Sequence, residues 1–198
     1  MNYLICGGSC SGKSTFSELL SDKLNFPVYH VDEHIDGDHL EKFNNLRHPI
    51  NHRIKESGIY WLFDLSKEDY VKACVRSANE DLEFVKEDTG KLNDNLIIEG
   101  LWAEPSLVNS AFPDSKIIWL FPSQKHQAEV WAKREWTKDV LSEHKNPDEA
   151  LRKWIEGDYA MSLYLERKAA GTQNSIYILN TDLTVYRNFN NVMRLLDL

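Results

Sequence analysis

The chain is 198 residues long and carries a formal net charge of −8. That length suits one domain with a substantial core, and the acidic balance argues against a nucleic-acid backbone as the main partner, because such affinity rests on clustered lysine and arginine. Cys6, Cys10 and Cys74 form no C-x-x-C pair and are odd in number, which argues against a disulfide framework and suits a reducing compartment.

The apolar run Tyr3-Leu4-Ile5-Cys6 reads as a short buried strand. Gly7-Gly8-Ser9-Cys10-Ser11-Gly12-Lys13-Ser14-Thr15 follows directly and fits G-x-x-x-x-G-K-[ST], the P-loop pattern. Its glycines let the backbone turn several N–H groups into one hollow at a helix N-terminus, where a polyphosphate can sit. Lys13 is expected to reach the β/γ-phosphates as a point charge, Ser14 to ligate Mg²⁺, and Thr15 to add a hydroxyl to the α-phosphate. The Cys10 thiol would have its pKa lowered by those N–H groups and by Lys13, and so become oxidisable; the other reading is a small neutral filler. The loop begins within six residues of Met1, leaving no room for a leader, and no apolar run reaches the roughly 20 residues of a membrane span. The cytoplasm is therefore the expected compartment.

Helical spacing of Phe16, Leu19, Leu20 and Leu24 predicts a first helix over residues 13–24. After Pro27, Val28-Tyr29-His30-Val31-Asp32 reads as a second strand with Asp32 at its C-terminal end, facing the P-loop crevice. More than sixty residues then precede the next strand, far beyond the usual connection of about 2–6. In the second half of that excursion Ser66 can cap a helix with Asp69 at N3, and Val71, Cys74, Val75, Ala78, Leu82 and Val85 recur at helical spacing. The first half is aromatic, acidic and rich in histidine and arginine. Arg47 and Arg53, with His48 and His52, suit an anionic or polar small molecule through bidentate guanidinium pairing, with an exposed polar loop as the alternative. Tyr60, Trp61 and Phe63 would either form a small local core or stack on a planar substrate. His30 and His34 share no standard ligand spacing with a third and fourth residue, so the only metal the sequence requires is the Mg²⁺ of a bound nucleotide.

Residues 96–98 form a third strand ending in Glu99-Gly100, Pro105 starts a short helix or turn, and residues 116–121 form a fourth strand. Pro122-Ser123 caps a helical segment reaching about residue 141. Asn146-Pro147-Asp148-Glu149 starts a long helix that ends near Gly171. Within these helices Trp131, Trp136, Trp154, Tyr159 and Tyr164 suggest a packed helical pair. A fifth strand at 175–179 and a closing helix from Val185 complete the chain. Strands alternating with helices imply an α/β three-layer αβα sandwich around a five-stranded parallel sheet, in a single domain.

With its strand, P-loop and helix, a second strand ending in Asp32, a long insertion, and a strand ending in Glu99-Gly100, the chain resembles the small P-loop kinases of nucleosides, nucleotides and metabolites, relatives of adenylate kinase. The resemblance implies the strand order 2-3-1-4-5, a helical acceptor-binding insertion over about 33–95, a lid over about 124–170, and Thr181 and Asp182 beside the adenine. It implies ATP and Mg²⁺ as cofactors, a small-molecule phosphoryl acceptor as partner, and transfer of the γ-phosphoryl to a hydroxyl or phosphate. Asp32 would accept the acceptor's proton or hold Mg²⁺ through water, Glu99 would join the Mg²⁺ shell or touch substrate, and Arg134, on a helix beside Lys133, would reach the γ-phosphate. Arg152 and Arg167 are further lid candidates. An ATP-binding regulatory module without turnover is the reading from another class. A GTPase is disfavoured because no N-K-x-D base-reading motif is present, and a motor-type ATPase because the third strand ends in Glu99-Gly100 rather than in an Asp-Glu pair.

Overall fold

The computed structural model describes residues 1–92, 95–172, 175–180 and 184–198. Five parallel strands, β1 (Tyr3–Gly7), β2 (Val28–His30), β3 (Ile97–Leu101), β4 (Lys116–Pro122) and β5 (Ser175–Asn180), lie in the order β2-β3-β1-β4-β5. Alternate residues of each strand point to opposite faces. Tyr3, Ile5, Ile97, Ile118 and Leu120 pack against Phe16 and Leu20 of α1 (Lys13–Leu24) and Val192 and Met193 of α10 (Val185–Leu195). Leu4, Cys6, Ile98, Ile117, Trp119 and Phe121 face the opposite layer. That layer is built from α5 (Lys67–Thr89), α6 (Pro105–Ala111) and α9 (Pro147–Ala169). The strand order reverses at β1, so the chain that leaves its carboxyl end opens at a topological switch point, where open α/β sheets bind ligands.

The helix starts follow their caps. Ser66 and Asn146 accept the backbone N–H groups of Asp69 and Glu149, three residues on, which satisfies otherwise orphaned donors at the starts of α5 and α9. Gly157 lets these two helices approach: a β-carbon there would lie 2.6 Å from Cδ1 of Tyr70. Between Asp32 and α5 the chain forms α2 (Val31–Ile35), α3 (Asp38–Lys42), α4 (Pro49–Ser57) and a 3-10 turn (Tyr60–Asp64).

Three expectations need correction. The second strand stops at His30, and Asp32 lies in the first turn of α2, where its carbonyl accepts Asp36 N–H at 3.3 Å. The third strand continues to Leu101, so Glu99 sits within it, buried, rather than at its end. The segment after β4 is two helices, α7 (Gln124–Trp131) and α8 (Trp136–Leu141), with Arg134 in the turn between them. One continuous helix would set Trp131 and Trp136 about 140° apart. The break allows both to meet Trp154 of α9, with ring centroids at 4.8 and 5.7 Å.

Candidate functional site

The loop from Gly7 to Thr15 leaves β1 by a turn that only glycine can make. Gly7 has φ +126°, and a β-carbon there would fall 1.9 Å from the Leu120 carbonyl oxygen. Cys10 and Gly12 take left-handed conformations as the loop curls into α1. Buried Gln127 on α7 donates to the Ser9 carbonyl at 3.4 Å, and Lys13 Nζ folds back to the Gly8 carbonyl at 2.9 Å. The result is a hollow of about 320 Å³ lined by Ser9 through Thr15, Asp32, Glu99, His126, Val130 and Arg134.

Glu99 is held at both oxygens. Ser14 Oγ donates to Oε1 at 3.3 Å and His30 Nδ1 lies 3.0 Å from Oε2. Parallel pairing makes this possible, since Glu99 is in register with Ile5 of β1 on one side and with His30 of β2 on the other. The Ser14 hydroxyl and the Glu99 and Asp32 carboxylates are all hard oxygen donors beside the phosphate hollow, the ligand set that suits Mg²⁺.

Asp32 is open to the crevice yet surrounded by enough protein that desolvation raises its pKa. Lys13 opposes that rise, and Glu99 and Asp36 add to it. Burial also pushes the Cys10 thiol up, and Arg134 and Lys13 do not reverse this, so of the two readings the neutral filler fits and the activated thiol does not. Asp158 of α9 escaped sequence reasoning, because it looked like one more polar position on an amphipathic helix. It is 2% exposed, and its pKa is pushed up to about 6 by burial, against the opposing pull of hydrogen bonds from Tyr70 and Ser9 and the charges of Lys13 and Arg134.

A second cavity of about 420 Å³ adjoins the hollow and shares Ser9, Lys13, Asp32 and Arg134 with it. Its far walls come from the insertion and from the helices that follow β4, with Phe43, Phe63, Tyr70, Trp102, Trp131, Trp136 and Trp154 supplying aromatic surface and Asp36 and Asp158 carboxylates. Phe63 and the α7–α9 tryptophans therefore both pack together and line this space.

Arg47 and Arg53 lie away from this cavity. Arg47 is exposed and pairs with Glu83 at 2.8 Å, Arg53 stacks over Trp61 at 3.8 Å, and neither lines the cavity. Arg152 is taken up by Glu149 and Glu156, and Arg167 is exposed. The guanidinium of Arg134 lies over the Trp131 and Trp136 rings, at 4.9 and 5.7 Å, and lines both spaces. Thr181 and Asp182 lie outside the described residues.

The histidines expected to lack ligand partners acquire neighbours through folding. Candidate donor atoms of His34, Asp38, His39 and Asp88 all lie within 4.8 Å of one another. They are already paired: His34 with Asp38 at 2.9 Å, and fully buried His39 with Asp88 at 2.9 Å and Asp81 at 2.7 Å. Lys42 adds a cation 2.9 Å from Asp38. This cluster fastens α2 and α3 to α5 and, through stacking of His34 on Tyr29, to β2.

Neither a protein-family model nor a curated protein matches the chain. Solved structures do match along its full length, and the fold is similar to that of shikimate kinases and a deoxyadenosine kinase. Shikimate kinase from Bacteroides thetaiotaomicron is 17% identical with a TM-score of 0.55, covering 100% of this chain and 99% of its own. Deoxyadenosine kinase from M. mycoides is 15% identical with a TM-score of 0.54, covering 100% and 99%. Shikimate kinase from Aquifex aeolicus is 19% identical with a TM-score of 0.51, covering 100% and 96%. Among the described residues no helix is long and apolar enough to cross a membrane.

Proposed function

We propose that the protein is an ATP-dependent small-molecule kinase that transfers the γ-phosphoryl of Mg-ATP to an acceptor hydroxyl. One observation carries this reading: the hollow of the P-loop opens into a separate aromatic cavity, with Lys13, Asp32 and Arg134 at the junction. An ATP-binding regulatory module would need the hollow alone.

Phosphoryl transfer asks for charge neutralisation and alignment more than for covalent chemistry. The backbone of residues 7–15 would cradle the phosphates. Lys13 would leave the Gly8 carbonyl to meet β- and γ-oxygens, and Arg134 would balance charge on the transferred group. Ser14 and Glu99, with Asp32 beside them, would hold Mg²⁺, which when bound neutralises phosphate charge. Asp32 would accept the proton of the acceptor hydroxyl, helped by a pKa raised above the ordinary carboxylate value. The insertion at 33–95 would then supply the acceptor side and residues 124–170 the lid.

The test is ADP release with Mg-ATP across nucleosides, nucleotides, sugars and small alcohols, with Lys13→Ala as control. Stimulation by at least one acceptor, abolished in Lys13→Ala, is expected. Tight ATP binding with no stimulation by any acceptor would instead favour the regulatory module.

A further inference from the structure

The cavity beside the P-loop is unusual in where its charges lie. Its basic groups are Lys13 and Arg134, and both also line the phosphate hollow. A bound triphosphate, with several negative charges, would occupy both. What then remains is acidic: Asp32 and Asp158 near the junction and Asp36 at the C-cap of α2, one turn beyond Asp32. The Asp36 side chain is exposed where it lines the cavity and has no hydrogen-bond or ion-pair partner among the described residues; surrounding protein and nearby Asp81 raise its pKa. By contrast, the polar pair Asn51 and Ser77 on the same wall satisfy one another. The arginines of the insertion are not in reserve, since Arg47 is held by Glu83 and Arg53 lies on Trp61.

Away from the nucleotide and its Mg²⁺, an acceptor's carboxylate or phosphate would enter a space lined by Asp36 and Asp158 and by no further lysine or arginine among the described residues, which is the arrangement that rejects an anion. A flat body suits the aromatic walls, and an N–H donor or a cation suits both those walls and the unpartnered carboxylate. We propose that the cavity takes a flat-bodied alcohol whose far end carries an amino or protonated amine group against Asp36, and that it excludes acceptors bearing a fixed negative charge. This rests on the kinase reading for the role of the cavity.

Three probes of nearly equal size isolate the charge: 4-(aminomethyl)benzyl alcohol, benzyl alcohol and 4-(hydroxymethyl)benzoate. Each is titrated calorimetrically into the intact protein at pH 7.5 with a non-hydrolysable ATP analogue and Mg²⁺ present. The amine is expected to bind at least about tenfold more tightly than the carboxylate, with benzyl alcohol between them. Asp36→Asn should narrow that gap and Asp36→Lys should reverse it. Equal or tighter binding of the carboxylate, no binding of any probe at millimolar concentration, or an unchanged order in Asp36→Lys would each overturn the proposal. A protein that phosphorylates a hydroxy acid would sink this inference and leave the kinase reading intact. A protein that selects the amine but never forms ADP with any acceptor would do the reverse.

Discussion

Tyr70 donates its phenolic hydrogen to Asp158 Oδ1 at 2.8 Å, tying α5 to α9 where Asp158 also meets Ser9 of the P-loop. The carboxylate pays for this position in desolvation, because the hydrogen bonds and cations around it fail to restore its ordinary pKa.

That cost has a pH signature. The folded pKa is about 6 against an ordinary value of 3.8, so between those values the native state binds more protons than the unfolded one and stability falls as pH rises. Asp158→Asn keeps an acceptor for Tyr70 and removes the charge. Thermal melts from pH 4 to 8 should show the variant gaining on the parent as pH rises through that window, with the difference constant above about pH 7. Parallel curves would show that Asp158 ionises normally.

His39 should produce a second slope. Burial opposes its charge, but the hydrogen bonds it donates to Asp81 and Asp88 prevail and its pKa is raised above 6.5. Its contribution is therefore complete below pH 6.5 and disappears as pH climbs through the folded value. In Asp81→Asn melts this alkaline decline should shrink, while the Asp158 slope should persist.

Asp32→Asn should retain binding of a fluorescent ATP analogue within a few-fold and lose roughly 10²–10⁴ in turnover with the true acceptor. If the proposed kinase activity holds, the acidic limb of kcat/KM in the parent protein should lie above pH 3.8, because the Asp32 pKa is raised. A normal rate for Asp32→Asn would remove Asp32 from proton transfer.

His30 holds the Glu99 oxygen that Ser14 leaves free. His30→Ala should weaken apparent Mg²⁺ affinity in the presence of nucleotide by roughly tenfold or more, as loss of an orienting partner does at other metal sites. Unchanged Mg²⁺ dependence would make the pair purely structural.

Gly157→Ala should cost about 1–3 kcal/mol by forcing a methyl group into the Tyr70 ring, read as a fall in Tm of roughly 3–10 °C. The penalty should shrink in a Tyr70→Leu background. An equal loss in both backgrounds would locate the strain elsewhere.

Local signals in the sequence were strong where backbone chemistry is demanding. The P-loop needs its glycines, and Ser66 and Asn146 announce helix starts, so β1, α1, α5 and α9 could be read directly, whereas the strand order came only with the resemblance. That Asp32 and Glu99 lie beside the P-loop hollow was legible because both follow apolar runs, although the strand ends were misplaced by one or two residues. Asp158 was not legible: nothing beside it in sequence reveals that Tyr70, 88 residues away, will bond it. For Arg47 and Arg53 the sequence left an acceptor contact and an exposed loop open, because side-chain type says nothing of direction; in the fold Glu83 pairs with Arg47 and Trp61 lies under Arg53.

The turn between α7 and α8 gives the two chambers a common wall. Arg134 lies over Trp131 and Trp136 there and lines both spaces, as do Ser9, Lys13 and Asp32. A nucleotide that draws Arg134 toward its phosphates must disturb the indoles beneath it. Occupancy of one chamber should therefore be felt in the other as a reciprocal change in affinity, equal in size whichever ligand arrives first. Tryptophan emission should report that exchange when nucleotide alone is added, even though no tryptophan lines the phosphate hollow.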